Sequence, residues 1–153
     1  MILKPRQRFQ LSASVFVVIN RGHEVLLLRR SATGWMDGKL SLPAGAVDGN
    51  EGFAEAAARE LFEETGLVVQ IDDLTLGHVQ HNITVGAEWV GFYFIASRWS
   101  GIPRIAEPSK HSELVWSSLD VMPDDLIDYV SEALRQIQRG VPLSPLRVWG
   151  SNE

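Results

Sequence analysis

The chain has 153 residues, 45% of them hydrophobic and 22% charged, a balance that is ordinary for a globular protein. Its net charge is −5 and its basic residues are scattered along the sequence, which argues against a nucleic acid polymer as the main partner. The absence of cysteine excludes disulfides and thiolate metal sites, and no apolar run reaches membrane-spanning length.

The length and the lack of linker-like segments predict one domain spanning residues 1–153. The N-terminal segment MILKPRQRFQ has no apolar core of signal-peptide length, so we expect a cytoplasmic location and no contact with a membrane. Neither composition nor charge distinguishes a monomer from a homodimer, and both stay open.

Two strand-like runs come first, at Ser12–Asn20 and Glu24–Arg30, and the turn Arg21-Gly22-His23 joins them. A short apolar segment at Lys39–Leu42 then ends at Pro43. The first part of the chain therefore predicts strands.

A helix follows these strands. Gly52 suits its N-cap, and Glu55 stands three places later, at the capping-box position. Thr65-Gly66 supplies the stop, because glycine readily takes the left-handed conformation after the last turn. The apolar residues in between share one arc of the helical wheel: Phe53, Ala54, Ala57, Ala58 and Leu61.

Three glutamates on this helix, Glu60, Glu63 and Glu64, raise an electrostatic problem. Glu64 falls inside the apolar arc, where a carboxylate is costly unless its charge is compensated, and glutamates at this spacing repel one another. A divalent cation resolves both problems, and carboxylate oxygens suit Mg²⁺ or Mn²⁺ rather than zinc. The alternative is a solvated acidic face on which Glu55 and Arg59 form a pair.

The rest of the chain alternates strand-like runs with one more helix. The runs are Val68–Ile71, Leu76–Thr84, Glu88–Ser97 and Glu113–Ser117. Asp124 is predicted to cap a helix that continues to about Arg139 and stops at Gly140. Strands before, between and after two helices predict an α/β (α+β) fold.

The segment from 45 to 67 carries the most specific pattern in the chain. Its fixed positions are Gly45, Glu51, Arg59-Glu60-Leu61, Glu63-Glu64 and Gly66-Leu67. This pattern matches the Nudix box at every defined place, and the chain therefore resembles the Nudix hydrolases, in particular their MutT-type members.

The resemblance implies an α/β/α sandwich with a mixed central sheet, on which the box forms a loop-helix-loop. It also implies a divalent metal, Mg²⁺ with Mn²⁺ as an alternative, and hydrolysis of a diphosphate bond in a small nucleotide. A nucleoside triphosphate is favoured, because the window Ile83-Thr84-Val85 lacks the proline or tyrosine common in the ADP-ribose and dinucleoside polyphosphate subfamilies. A triphosphate would yield a nucleoside monophosphate and pyrophosphate.

The resemblance also implies the metal ligands, which are Glu60, Glu63, Glu64 and the backbone carbonyl of Ala44. The sequence departs from the family at this alanine, because the usual ending before the box is Pro-Gly-Gly and here it is Pro43-Ala44-Gly45. Alanine keeps the carbonyl, although its backbone is more restricted than that of glycine.

Two further residues complete the implied catalytic machinery. The stretch Trp99-Ser100-Gly101-Ile102-Pro103 resembles the family segment that precedes a loop glutamate, which makes Glu107 a candidate metal ligand or base. A solvated loop carboxylate is the alternative, with Glu113 and Glu88 as the next candidates. Arg59 is implied to brace the box loop by pairing with Glu51 or Glu63. The general base stays unassigned.

The residues expected to bind substrate come before the box. The spacing from Arg30 to Gly45 matches MutT-type hydrolases, where this arginine reaches phosphate, and a guanidinium fork suits phosphate oxygens. A strand end pointing into solvent is the alternative. Lys39 is a second phosphate candidate. Trp35 lies in a polar, glycine-rich loop, where it either stacks on a base or anchors the loop, and Leu42 joins it as a base-pocket candidate.

Three other functions stay open from the sequence. One is hydrolysis of ADP-ribose or another nucleotide conjugate. The second is a non-catalytic Nudix module that senses a nucleotide, although such modules usually have an eroded box or an attached domain. The third is an RNA-cap hydrolase, which would be expected to carry a more basic surface.

Overall fold

The computed structural model describes residues 6–150. The outer ends of the predicted 1–153 domain, and the first half of the N-terminal segment, lie outside the described residues. The strands are β1 Ser12–Arg21, β2 Glu24–Arg30, β3 Leu40–Ser41, β4 Ala44–Ala46, β5 Leu74–Thr84, β6 Ala87–Ala96, β7 His111–Ser118 and β8 Leu143–Trp149. The helices are α1 Phe53–Thr65 and α2 Asp128–Gln138.

The strands form a mixed sheet in the order β3-β2-β1-β6-β5-β8, with β4 beside β1 and β7 beside β2. The β1–β6 and β5–β8 pairs are parallel, and the other pairs are antiparallel. β1 and β2 pair only next to their turn, through Asn20–Val25 and Arg21–Glu24. Beyond this turn β1 and β2 separate, and the start of β1 pairs with β4 instead. The loop that follows β4 therefore lies at the opening between β1 and β2.

The sheet has a hydrophobic core on each face. Alternate residues of β1 point to opposite faces, so Phe16 packs with Leu134 of α2, while Val17 packs with Leu61 of α1. Helices therefore cover both faces of a mixed sheet, and the predicted α+β sandwich is confirmed.

The ends of α1 match the prediction from sequence. Gly52 is the N-cap, and Gly66 ends the helix in the left-handed conformation with φ 74°. One residue of the predicted apolar arc differs, because Phe53 is 44% exposed and stacks on Phe92 with ring centroids 4.1 Å apart. Ala56 is fully buried in its place, since the sheet contacts a face rotated slightly from the predicted arc.

The predicted start of α2 at Asp124 is wrong. The helix begins at Asp128, with Ile127 as its N-cap. The preceding segment lies beside β3. The Leu40 N–H donates to the Asp125 carbonyl at 2.9 Å, and the Ile127 N–H donates to the Leu40 carbonyl at 3.0 Å. These hydrogen bonds tie the segment to β3, and the Leu126 N–H closes a turn on the Pro123 carbonyl at 3.1 Å, so helical geometry starts only after Ile127.

Three other elements differ from the sequence prediction. The predicted strand at Val68–Ile71 is reduced to one bridge between Val68 and Ser100, followed by a 3-10 turn at Ile71–Asp73. Strands β4 and β8 were not predicted, because β4 is only three residues long and β8 contains Pro145. Within residues 6–150, neither helix is long and apolar enough to cross a membrane.

Candidate active site

Strand β4 packs closely against the second half of α1. The Ala44 N–H donates to Glu64 Oε2 at 3.0 Å. A Cβ at Gly45 would overlap the Glu60 carboxylate, so glycine at this position leaves the carboxylate room where it lies. Ala44 and Gly45 therefore lie directly against two of the carboxylates that the sequence assigned to metal, Glu64 and Glu60.

Arg59 lies at the centre of a carboxylate cluster. Its Nη2 is 2.8 Å from Glu51 Oε1 and its Nε is 3.0 Å from Glu51 Oε2, which makes a two-point contact. Its Nη1 donates to Glu60 at 2.8 Å and to Glu63 at 3.3 Å, and its Nη2 reaches the Ala46 carbonyl at 3.2 Å. These hydrogen bonds raise the pKa of Arg59 and lower the pKa of Glu51. Arg59 thus contacts both glutamates that the sequence offered as its partners.

Glu64 is buried, with 6% of its surface exposed. Burial raises the pKa of Glu64 to about 8, and the hydrogen bond from the Ala44 N–H acts in the opposite direction. The charges of Glu60 and Glu107 add to the rise, and burial also raises the pKa of Glu60. Burial and the two neighbouring carboxylates thus oppose ionisation of Glu64 more strongly than the Ala44 hydrogen bond and the charge of Arg30 favour it.

The loop before β7 brings Glu107 and His111 towards Glu64. Glu107 Oε2 pairs with Lys110 Nζ at 3.1 Å, while Glu107 Oε1 is buried without a hydrogen-bond partner. His111 Nδ1 is also buried without a partner, and His111 Nε2 lies 3.9 Å from Glu64 Oε1. Burial lowers the pKa of the His111 imidazole. The sequence analysis did not select His111, because nothing in its local pattern distinguishes it.

The residues at this site fit a hard divalent cation. The unpartnered Glu107 oxygen and the buried Glu64 carboxylate are oxygen donors of the type that Mg²⁺ prefers. Among residues 6–150, however, no three His, Asp or Glu side chains are already arranged to hold an ion. Arg59 holds one oxygen of Glu60 and one of Glu63, and the second oxygen of each carboxylate takes no part in these hydrogen bonds.

Arg30 organises the loop that follows β2. Its Nε donates to the Trp35 carbonyl at 2.7 Å, and its Nη2 donates to Thr33 Oγ1 at 3.0 Å. Asp37 tightens the same loop by accepting hydrogen bonds from Thr33 and from the Gly34 N–H, which lowers the pKa of Asp37. Arg30 is therefore already engaged with the loop that presents Trp35, while its side chain still lines a cavity.

Two cavities meet beside this loop. The first has a volume of about 270 Å³ and contacts the box strand β4, and its wall includes Arg30, Ala44 and Gly45. The second has a volume of about 330 Å³ and lies at the start of α2. Trp35 and Tyr129 line both cavities, and Trp35 Nε1 donates to the Tyr129 hydroxyl at 3.3 Å. The pair lies between the cavity beside β4 and the cavity at the start of α2, which we name the aromatic cavity for Trp35, Tyr129 and Trp149.

A buried polar network holds the far wall of the aromatic cavity. Trp149 Nε1 donates to Asn82 Oδ1 at 2.6 Å, and Asn82 Nδ2 donates to Gln80 Oε1 at 3.1 Å. Gln80 also accepts from the Tyr93 hydroxyl at 2.9 Å and donates to the Tyr129 carbonyl at 2.9 Å. Sequence analysis missed Trp149 and Tyr129, because β8 and the start of α2 meet only in the folded chain.

The remaining predicted residues divide by exposure. Lys39 lines the aromatic cavity. Leu42 is only 2% exposed and packs in the core, so we withdraw the direct substrate contact predicted for it. Glu113 is paired with Arg29 at 2.6 Å, and Glu88 is bonded to a neighbouring histidine at 2.7 Å, so these two carboxylates have partners away from the carboxylate cluster.

Comparison with known proteins gives a consistent result. A model of the NUDIX domain matches residues 8–137 of this chain. The 8-oxo-dGTP diphosphatase of Escherichia coli (strain K12) is 28% identical over 120 residues, which cover 74% of this chain and 88% of that protein. The RNA pyrophosphohydrolase of Bartonella bacilliformis is 30% identical over 136 residues, covering 74% of this chain and 80% of the relative.

A solved structure shares the fold as well. The MutT NUDIX hydrolase from Burkholderia pseudomallei superimposes with a TM-score of 0.77 at 33% sequence identity. The match covers 84% of this chain and 98% of that protein. The similarity therefore extends over the sheet, both helices and the segment that carries the carboxylates.

Proposed function

Because this chain belongs to the Nudix family of hydrolases, we propose that it cleaves a phosphoric anhydride bond in a nucleoside triphosphate. Water adds to one phosphorus, the P–O bond to the bridging oxygen breaks, and a nucleoside monophosphate and pyrophosphate leave. A relative of similar length, from Escherichia coli, is described as an 8-oxo-dGTP diphosphatase, which supports this substrate class.

Nudix hydrolases generally use divalent metal ions, and we propose Mg²⁺ here, with Mn²⁺ as a substitute. The ligands would be Glu60, Glu63, Glu64, the Ala44 carbonyl and Glu107. A bound ion lowers the pKa of water and neutralises charge that develops on the phosphates. The burial of Glu64 and the unpartnered Glu107 oxygen support this assignment. Arg59 would hold Glu60 and Glu63 close to the site.

The two cavities supply the rest of a nucleotide site. Arg30 would contact phosphate in the cavity next to β4, and Trp35 would stack on the base where the cavities meet. Lys39 lines the aromatic cavity and would add positive charge on the substrate side. A nucleotide fits these two cavities, because it joins a flat base to a charged phosphate chain.

One observation carries the proposal. The β4 residues that contact Glu60 and Glu64 also line the cavity of about 270 Å³, together with Arg30 and Trp35, and Trp35 lines the aromatic cavity as well. A triphosphate attached to a base spans such an arrangement, with its phosphates beside the carboxylates. We further propose a single domain over residues 1–153 that acts in the cytoplasm, where nucleoside triphosphates occur, as a monomer or a homodimer.

The test is hydrolysis of a substrate panel with separation of the products. Purified protein is incubated with Mg²⁺ and nucleoside triphosphates, including oxidised purines, ADP-ribose, dinucleoside polyphosphates and capped RNA. We expect a nucleoside triphosphate to be cleaved fastest, with pyrophosphate rather than phosphate released. A chelator should abolish the reaction, and added Mg²⁺ should restore it.

The same panel separates the alternatives. Faster release of AMP and ribose 5-phosphate from ADP-ribose would replace our proposal with a nucleotide-conjugate hydrolase. Selective cleavage of capped RNA would favour the RNA-cap hydrolase that the sequence left open. Tight nucleotide binding without any product would favour a sensing module.

A further inference from the structure

His111 is a buried histidine that belongs to none of the roles assigned above. It begins β7, four residues after Glu107, and only 5% of its surface is exposed. The Glu107 carbonyl accepts hydrogen bonds from both the Lys110 N–H and the His111 N–H, at 2.9 and 3.1 Å. This tight turn fixes the backbone of His111 and directs its ring towards Glu64.

The separation between His111 and Glu64 has a specific meaning. His111 Nε2 lies 3.9 Å from Glu64 Oε1, which is too long for a hydrogen bond. Zinc bonds to imidazole nitrogen and carboxylate oxygen are each about 2.0–2.2 Å long, so two donors on one such ion lie about 3.0–3.5 Å apart at adjacent positions and about 4 Å apart when nearly opposite. The gap therefore has room for a shared cation between the two atoms.

The second ring nitrogen points to the same conclusion. His111 Nδ1 and Glu107 Oε1 are the two buried side-chain atoms, among the described residues, that lack a hydrogen-bond partner. Both atoms belong to side chains near Glu64, so this part of the site holds donor atoms that no protein group uses.

We propose that His111 is a nitrogen ligand of the divalent cation at this site, sharing the ion with Glu64 through Nε2. This inference rests on the proposed metal site, and it changes the character of that site. A ligand set that includes imidazole favours Mn²⁺ or Co²⁺ over Mg²⁺ more strongly than carboxylates alone do. The ion preference of this protein would then be set by a residue outside the box.

The experiment uses the intact protein with Mn²⁺ as a paramagnetic probe. Pulsed electron paramagnetic resonance detects coupling between the Mn²⁺ electron spin and a directly bound nitrogen. We expect nitrogen coupling in the wild-type complex, and its replacement by the ¹⁵N pattern when the protein is made with ¹⁵N-labelled histidine. This reading needs no variant, so it does not depend on whether a substitution at a buried position folds.

Two variants assign the nitrogen. His111→Leu should remove the coupling and weaken Mn²⁺ binding by about tenfold or more, with a smaller effect on Mg²⁺. His81→Gln is the matched control, because His81 pairs with Glu88 and lies outside the carboxylate cluster, and it should keep the coupling.

The outcomes separate this inference from the proposed function. Mn²⁺ that binds in a Glu64-dependent way without histidine coupling, or with coupling that survives in His111→Leu, overturns the role of His111 and leaves the metal site intact. Wild-type protein that binds no Mn²⁺, Co²⁺ or Mg²⁺ at millimolar concentration overturns both proposals.

Discussion

The two ends of the candidate site are built in opposite ways. At one end, most of the carboxylates and their arginine come from a single stretch of loop and helix between Gly45 and Glu64. Only Glu107 and His111 come from a later segment of the chain. At the other end, the aromatic cavity combines Trp35, Tyr129 and Trp149, whose positions lie far apart in the chain. The first end depends on helical spacing, whereas the second depends on how distant strands pair.

This difference predicts a division of labour. A cluster with fixed local spacing suits chemistry that is common to many substrates, because its geometry survives changes elsewhere. A cavity assembled from separate segments can vary one wall at a time, which suits substrate selection. Changes at the carboxylate end should therefore lower turnover, and changes at the aromatic end should alter substrate affinity.

The largest expected effect tests the carboxylate end. Glu60→Gln and Glu64→Gln should each lower kcat/KM by about 10²–10³-fold, the scale seen when one strong electrostatic contact to a transition state is lost. Far-UV circular dichroism should stay unchanged, because glutamine keeps the size of the side chain. Glu55→Gln, a cap on the same helix, serves as the control. Near-normal turnover in both active-site variants would contradict the proposal that the carboxylate end determines turnover.

The aromatic end is tested next. Trp149→Ala and Trp35→Ala should raise KM by roughly 5- to 150-fold, since stacking contributes about 1–3 kcal/mol per base. The value of kcat should change much less. Trp35→Phe retains a stacking face and should recover most of the affinity. If kcat falls and KM stays constant in steady-state kinetics, the cavity takes part in the chemistry and the comparison fails.

A third prediction concerns the cost of the carboxylate cluster to the fold. Arg59→Met leaves Glu51, Glu60 and Glu63 without their shared cation, and it should lower the free energy of unfolding by roughly 1–2 kcal/mol in the absence of metal. Mg²⁺ should recover part of the loss, because it replaces the missing charge. Urea unfolding with a chelator and with Mg²⁺ measures both values, and Arg59→Lys is the control.

An equal loss with and without Mg²⁺ would contradict this prediction. It would show that Arg59 stabilises the loop through Glu51 and Ala46 alone. The carboxylates would then have no electrostatic link between folding and metal binding.

The smallest effect lies beside the aromatic cavity. Arg29 bonds Asp125, just before α2, at 2.6 Å, and this hydrogen bond lowers the pKa of Asp125 below its usual 3.8. A carboxylate whose pKa is lower in the folded state stabilises the fold at pH values above its unfolded-state pKa. This contribution disappears as the pH falls through the folded-state pKa. Asp125→Asn should therefore cost less than about 1 kcal/mol at neutral pH, since the pair is partly exposed.

Unfolding curves at several pH values check this point. The difference between the wild type and Asp125→Asn should shrink as the solution is acidified below pH 4. A difference that grows on acidification would have the wrong sign for a carboxylate with a lowered pKa. Glu113→Gln, which removes the other partner of Arg29, provides a comparison.

How far the sequence predicted the structure follows the same division. The helix ends at Gly52 and Gly66 were predictable, because capping depends on a few neighbouring residues. The pairing of Arg59 with Glu51 and Glu63 was predictable from the resemblance to the Nudix box. The start of α2 was not, since the hydrogen bonds of Leu40 tie the residues before Asp128 to β3. No local pattern carries that information.

The residues that sequence reasoning missed are defined by distant contacts. Trp149 becomes a cavity wall only because β8 pairs with β5 and Asn82 holds its indole. His111 stands out only through its burial and its distance from Glu64. Leu42 shows the reverse case, because adjacency to the box in sequence placed it near substrate and packing placed it in the core.

The contacts of Arg59 also bear on how the protein matures in the cell. In small zinc domains, metal binding and folding are one event, and a chain without its ion stays unfolded. Here an internal cation already neutralises part of the acidic cluster, so a newly made chain need not wait for an ion before it folds. We expect refolding from urea to go to completion in a chelator, at a rate that added Mg²⁺ leaves unchanged. The ion would then enter a finished protein, and its free concentration would act as a reversible control on activity.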